Sequence, residues 1–339
     1  MQRVRLMMWC RTCLSGIHLP AFAAAEGGLF AERGIEVEFV DCLHASEWSL
    51  QGFATRPLAV AAGRADLALT SVAYLLAAQT MTGGRLPVRF AAVSHQRNPI
   101  CGVVRSDSDL REPQDLAGRR TGSWSMPWFA QEYAGALAHM GLGAPELVEF
   151  SDDYLDGALR RGQIEVVPTF MDMTLHYRRN ADFCFRVVPL DIDVYTTGLV
   201  AADRLPPGLV SGVRDAFVAG YELQVEQPEL GIAAFRRRYP DVSEEHIRAK
   251  WSLFEPYAFD HVPPGSMDAD RWEATIRHTA ATHGLSAFPG ERLYRPELLT
   301  PPREPSLTPP REPSPGADEK PLASVYQLKP HLGEHVSAY

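Results

Sequence analysis

The sequence lacks any long apolar run. No stretch approaches the about 18 consecutive apolar residues of a transmembrane helix, so we expect no membrane insertion. The first ten residues carry Arg3 and Arg5, but their apolar stretch is shorter than the roughly 7–15 residues of a signal-peptide core. We therefore expect a cytoplasmic protein, or a periplasmic or extracellular one if the true start lies upstream.

The sequence also lacks an excess of positive charge. It contains 33 Lys and Arg against 42 Asp and Glu, a net charge of −9. Because phosphate backbones need a basic surface, nucleic acid is excluded as a main partner. A local basic pocket for a small anion remains compatible with this balance.

Cysteine is scarce and odd in number. The five cysteines are Cys10, Cys13, Cys42, Cys101 and Cys184. An odd count in a chain of 339 residues does not favour a disulfide framework, and reduced thiols fit a cytosolic protein.

The residues that are present alternate between strand and helix patterns up to about residue 190, which is typical of an α/β sheet protein. From residue 207 to 283 the spacing is mostly helical. The segment Thr300–Ser306 then recurs as Thr308–Ser314, and its proline density is incompatible with helices and sheets. We expect residues 299–339 to form a disordered Pro-rich tail.

Four phrases occur in order along the chain: His18–Glu36, Ala61–Leu67, Asp115–Gly122 and Gly162–Val167. They resemble phrases of the SsuA/THI5-like (NMT1/TauA-type) periplasmic substrate-binding proteins for sulfonates, taurine, nitrate and thiamine pyrimidines. The resemblance implies a two-lobe type II periplasmic-binding-protein-like α/β fold. Residues 1–97 plus 197–298 would form one lobe and residues 98–196 the other. It also implies a small aromatic or anionic ligand and an ABC permease as a potential partner, and we expect no cofactor.

Ligands of open α/β sheets bind outside the carboxyl ends of the strands, so the loops at those ends supply the candidate ligand contacts. The candidates are Trp9, Cys10, His18, Thr55, Arg56, Thr70, Ser71, Ser123, Trp124, Ser125, Trp128, Asp172 and Tyr195. Aromatic residues there would stack on a planar ligand, and hydroxyls before helices would either bind an anion or cap the helix.

The first of these loops contains Cys10 and Cys13, which leave three interpretations open. The thiols fill a packed loop as small apolar groups. Alternatively, they bind zinc together with Cys42 and His44. In the third interpretation, Cys13 lies close enough to a helix N-terminus to become a reactive thiolate.

The third interpretation defines an alternative function. Cys13, His44 and Arg56 resemble the Cys, His and Arg of the hydroxybiphenyl sulfinate desulfinase, an intracellular enzyme on this fold. The resemblance implies a Cys-dependent desulfinase or decarboxylase acting on an aromatic sulfinate or carboxylate. Pro57 follows Arg56 where that enzyme has a pair of glycines, and the loop around Cys13 is longer.

Overall fold

The computed structural model describes residues 1–8, 16–42, 55–123, 128–150, 155–175, 185–260 and 262–300. The strands are β1 (Gln2–Met7), β2 (Ile35–Val40), β3 (Leu67–Ser71), β4 (Val88–Val93), β5 (Ile100–Arg105), β6 (Arg120–Ser123), β7 (Glu146–Glu149), β8 (Val167–Phe170), β9 (Phe185–Pro189) and β10 (Thr197–Ala202). The helices are α1 (Leu19–Glu26), α2 (Thr55–Ala61), α3 (Val72–Met81), α4 (Trp128–His139), α5 (Leu155–Arg160), α6 (Pro207–Glu226), α7 (Pro228–Arg238), α8 (Glu244–Ala258) and α9 (Ala269–His283).

The largest sheet has five strands in the order β2-β1-β3-β10-β4. The strands β1, β2 and β3 are parallel, and β10 runs antiparallel between β3 and β4, with Leu199 opposite Leu69 and Ala92. All residues of β3 and β10 are buried, because helices cover both faces of the sheet at its centre.

The remaining strands form two smaller sheets, β8-β5-β9 and the parallel pair β6-β7. The chain leaves the five-stranded sheet after Val93, enters the second group of strands at Ile100, and returns to the first sheet at Thr197. The mixed α/β architecture predicted from the alternating pattern is confirmed.

The main apolar core packs around the five-stranded sheet and includes residues from α6 to α9. Separate buried clusters fill the space around β5, β6 and β8. The helices α1 and α6 cross so closely that a Cβ atom on Gly220 would lie 2.1 Å from the carbonyl oxygen of Pro20. Glycine at this position permits the crossing.

Candidate functional site

The candidate site lies where strands of both sheet groups end and helices begin. The helix α3 starts directly after β3, and α4 starts five residues after the last residue of β6. Ser71 caps α3, because its Oγ accepts a hydrogen bond from the backbone N–H of Tyr74 at 3.2 Å. The first turns of α3 and α4 meet through Tyr74 and Trp128, whose rings are in contact.

An aromatic floor joins these two first turns. We define it as Tyr74, Trp128, Phe129 and Phe170; the first three are buried in one apolar cluster with Ala73, and the partly buried Phe170 and Met173 pack against it. The rings of Tyr74 and Trp128 have centroids 4.7 Å apart, and those of Phe129 and Phe170 are 5.2 Å apart. Such a cluster is an apolar environment of the kind that lines small-molecule sites, although little of its surface is exposed in this structure.

Arg56 adds a cation to this floor. It occupies the first turn of α2, has no solvent-exposed surface, and places its guanidinium carbon 5.7 Å from the centroid of the Tyr74 ring. A planar guanidinium can bind two oxygens of a carboxylate, sulfonate or sulfinate at once, which gives it selectivity for such anions.

Hydroxyl groups surround the same strand ends. Thr70, Ser71 and Ser123 are all buried, although Ser71 and Ser123 end strands that lead toward helices and Thr70 directly precedes Ser71. The Oγ1 of Thr70 has no hydrogen-bond partner within the part of the chain that the structure describes. Because buried hydroxyls normally find a partner, this oxygen is available to a bound molecule.

Other predicted contacts lie around the edges of this arrangement. Thr55 is exposed at the start of α2, and Asp172 is buried in the turn that follows β8. The His18 ring meets the edge of Phe235, with centroids 6.4 Å apart. Tyr195 turns toward α9, where its hydroxyl accepts a hydrogen bond from the Asp268 backbone at 2.9 Å.

Six predicted residues lie outside the described residues: Trp9, Cys10, Cys13, His44, Trp124 and Ser125. The zinc and nucleophile hypotheses therefore both stay predictions. Within the described ranges, no three His, Cys, Asp or Glu residues are arranged to hold a metal ion. No helix in those ranges is long and apolar enough to cross a bilayer.

A cluster of polar side chains next to Trp128 was not predicted from the sequence. The imidazole of His283, at the end of α9, stacks on the indole of Trp128 with centroids 4.3 Å apart and an angle of 10° between the planes. Its Nε2 lies 2.8 Å from Glu132 Oε1, and the amide of Asn98 donates to Glu132 Oε2 at 3.1 Å. Glu132 and His283 are 151 residues apart in sequence, so no spacing pattern could have joined them.

The charge state of Glu132 follows from these contacts. Burial alone would raise the pKa of this carboxyl group, but the hydrogen bond and electrostatic interaction with His283, with smaller effects of His278 and Asn98, outweigh it. The pKa of Glu132 therefore lies below its ordinary value, and the group is a carboxylate at neutral pH. Beside it is a cavity of about 10 Å³, enough for one water molecule, which Ser71, Tyr195 and Glu132 help to line.

Two groups of strands linked by two chain crossings, with buried polar and aromatic side chains between them, define a substrate-binding-protein-like architecture. Residues 16–230 match the family model described as NMT1/THI5 like, which covers more than half of the chain. The chain belongs to the NMT1/THI5-like family. This confirms the resemblance seen in the sequence phrases.

Solved structures share the fold at low sequence identity. The periplasmic aliphatic sulphonate binding protein SsuA from Escherichia coli superposes with a TM-score of 0.64 at 14% identity, covering 92% of this chain and 98% of that chain. SsuA from Xanthomonas axonopodis pv. citri, bound to MOPS, gives 0.56 at 14% identity, covering 88% and 98%.

A DszB mutant in complex with biphenyl-2-sulfinic acid gives a TM-score of 0.54 at 16% identity, covering 87% of this chain and 97% of that chain. At these identities the likeness shows the fold alone. No curated protein matches the chain in sequence.

Proposed function

We propose that the protein is a substrate-binding protein whose cleft takes a small anion with an aromatic or otherwise apolar body. The observation that carries this proposal is the fully buried guanidinium of Arg56 above the ring of Tyr74 in the aromatic floor. The floor would bury the apolar body, while Arg56 and the nearby hydroxyls would hold the anionic group. Relatives on this fold include a sulphonate-binding protein and a protein with a bound aromatic sulfinic acid, and both ligands have this composition.

The proposal includes two lobes, residues 1–97 plus 197–298 and residues 98–196, that close over the ligand. Supporting contacts lie at the two crossings, where the backbone N–H of Asn98 donates to the carbonyl of Ile192 at 3.1 Å. Arg97 forms an ion pair with Asp260 at 3.1 Å, which ties the first crossing to the end of α8. Two short paired segments of this kind are suited to hinge closure.

The partner and the location of the protein belong to the same proposal. If the protein delivers its ligand to an ABC permease, it must lie outside the cytoplasmic membrane. If it lies in the cytoplasm, as expected from the sequence, it must deliver the ligand to a soluble acceptor. Cell fractionation with a cytoplasmic and a periplasmic marker separates these two cases.

The test is a binding measurement with defined aromatic and aliphatic anions. Naphthalene-2-sulfonate, naphthalene-2-carboxylate, biphenyl-2-sulfinate and MOPS are titrated by calorimetry, and closure is followed by the radius of gyration in X-ray scattering. We expect at least one of the aromatic anions to bind and to lower the radius of gyration. Absence of binding by all four probes would contradict the proposed function.

Arg56→Gln is expected to weaken the binding of naphthalene-2-sulfonate at least about 100-fold, because losing one partner of a buried charge pair costs roughly 2–5 kcal/mol. The matched control is Arg64→Gln, since Arg64 is exposed shortly after the end of α2. The control should bind like the wild type. An Arg56→Gln protein that stays folded and binds within threefold of the wild type would contradict the assigned role of Arg56.

The cysteine-dependent enzyme remains the alternative, and thiol reactivity decides it. We expect iodoacetamide to label Cys13 faster than Cys101 if Cys13 is a nucleophile, because only a thiolate reacts. Cys101 is an internal reference, since it is buried and its Sγ lies 3.2 Å from the carbonyl oxygen of Thr169. Peptide mass spectrometry between pH 6 and 9 measures both rates. A Cys13 as inert as Cys101 would remove the enzyme hypothesis.

A further inference from the structure

The indole of Trp128 is packed between neighbouring rings, but its N–H is not used. One face stacks on His283, and Tyr74 packs against the ring at a tilt of 51°. The side chain is only 5% exposed, yet its Nε1–H has no acceptor among the residues that the structure describes. A ligand can therefore contact Trp128 at its edge, as a hydrogen-bond donor, and not by stacking on its face.

The position of this donor coincides with the proposed site. Trp128 opens α4 beside Tyr74, the residue whose ring also lies below the Arg56 guanidinium. A buried indole N–H normally has a hydrogen-bond acceptor, and a ligand oxygen would supply one here. Thr70 Oγ1, at the end of β3, is a second buried polar atom without a described partner.

The imidazole of His283 is fixed from both of its nitrogens by consecutive residues of α4. Its Nε2 lies 2.8 Å from Glu132 Oε1, and its Nδ1 lies 3.1 Å from Gln131 Oε1. Glu132 is held in turn by Asn98, whose side-chain oxygen accepts a hydrogen bond from the backbone of Ile100 at 3.0 Å. These hydrogen bonds fix the orientation of the His283 imidazole. Because the indole of Trp128 stacks on this imidazole, the plane of the indole is fixed as well.

The two helices that carry these residues approach each other closely. A Cβ atom on Gly135 in α4 would lie 2.2 Å from Oγ1 of Thr282 in α9, so a larger residue would have to displace the Thr282 side chain. The stack of His283 on Trp128 is thus set by helix packing as well as by hydrogen bonds.

We propose that Trp128 donates its indole N–H to an oxygen of the bound anion and that His283 is the positioning residue that aims this donor. The inference rests on the proposed function and adds to it a specificity element. A ligand would have to present an acceptor oxygen both to Arg56 and at the edge of Trp128, which favours sulfonates, sulfinates and carboxylates attached directly to an apolar body. An aromatic cation of the same shape would be rejected.

The test of the donor uses naphthalene-2-sulfonate. Trp128→Phe keeps a flat ring and removes the N–H, and it should weaken binding about 10-fold or more, as expected for one hydrogen bond to a charged acceptor. In the ¹H–¹⁵N spectrum of the wild-type protein, the indole resonance that Trp128→Phe removes should move downfield when the probe saturates the site. Unchanged affinity in Trp128→Phe, or an indole resonance that does not move, would overturn the proposed contact.

The test of the positioning role needs no ligand. An imidazole stacked on the indole shifts the resonance of Trp128 by its ring current. His283→Gln keeps a polar side chain beside Glu132 but removes the ring, so this resonance should move in the unliganded variant, and probe affinity should fall about 3–10-fold.

The control is His139→Gln, because His139 is exposed at the end of the same helix and its ring contacts that of His278, 5.2 Å away, whereas His283 stacks on Trp128 itself; it should leave the resonance and the affinity unchanged. If His283→Gln does not fold, Glu132→Gln serves as the second variant. This substitution preserves the side-chain volume and weakens the hydrogen bond that orients the His283 ring. The Trp128 indole resonance should therefore move in the same direction by a smaller amount.

An unchanged Trp128 resonance in a folded variant would overturn the positioning role. Failure of the wild-type protein to bind any probe contradicts the proposed function instead, and the unliganded spectra still decide whether His283 positions Trp128.

Discussion

Gly220→Ala is expected to destabilise the protein by about 3 kcal/mol or more, which is the upper part of the range for an overpacked interior. The added Cβ would lie 2.1 Å from the carbonyl oxygen of Pro20 and 3.0 Å from the Cβ of Ala24. The first of these atoms belongs to the backbone of α1, so no side-chain rotation relieves the clash and the two helices must move apart. Urea unfolding followed by circular dichroism measures the change in the free energy of unfolding.

The control for this substitution lies in the same helix. A Cβ on Gly208 would meet no atom within 4 Å, so Gly208→Ala adds a methyl group in open space. It should be neutral or stabilise the protein by up to about 1 kcal/mol through a lower entropy of the unfolded chain. Equal stability of the two variants would contradict the described crossing of α1 and α6.

The protein is expected to lose stability steeply in mild acid because of His95. This side chain is buried after β4, with its Nδ1 against the hydroxyl of Thr197 and its ring 4.8 Å from that of Phe254. Burial lowers the pKa of His95 from 6.5 to about 3. The folded state therefore keeps the ring neutral, whereas the unfolded chain binds a proton as soon as the pH falls below 6.5.

The direction of the pH dependence follows from this difference. The contribution of His95 to stability is complete above pH 6.5 and is lost as the pH falls from 6.5 toward 3. The slope approaches about 1.4 kcal/mol per pH unit, so the loss at pH 4.5 is about 3 kcal/mol. Urea unfolding of the wild-type protein and of His95→Asn between pH 7 and 4.5 should give a shallower slope for the variant. The exposed His139, changed to Asn, is the control, and parallel slopes for wild type and His95→Asn would refute the assignment.

Much of the fold could be predicted from the chain because local patterns and packing agree. The apolar run of β3 and the sequence after Ser71 indicated a buried strand and a helix, and both form as expected. β9 was not predicted, since Phe185–Pro189 is short, largely half-buried and does not alternate between polar and apolar residues. The helical spacing seen between residues 207 and 283 did not reveal that α8 continues to Ala258 in spite of Pro256, where the buried Tyr257 and Ala258 favour a further turn.

The site was predictable only in part. Arg56, Ser71 and Trp128 lie at strand ends and helix starts. They could be predicted because ligands of open α/β sheets bind outside the carboxyl ends of the strands. Tyr74 lies in the first turn after Ser71 and could have been included on the same grounds. Glu132 and His283 could not, because their contact depends on how α4 and α9 pack, and no sequence spacing encodes that packing.

The position of β10 bears on how the chain is made. The strand β4 ends at Val93 and pairs with the strand β10, which ends at Ala202, and with the still later residue Tyr294. A nascent chain therefore carries β4 without its partner strand while more than a hundred further residues are synthesised. During that interval the apolar sequence of β4 can pair with a wrong strand or bind a chaperone. The five-stranded sheet can be completed only after β10 has left the ribosome.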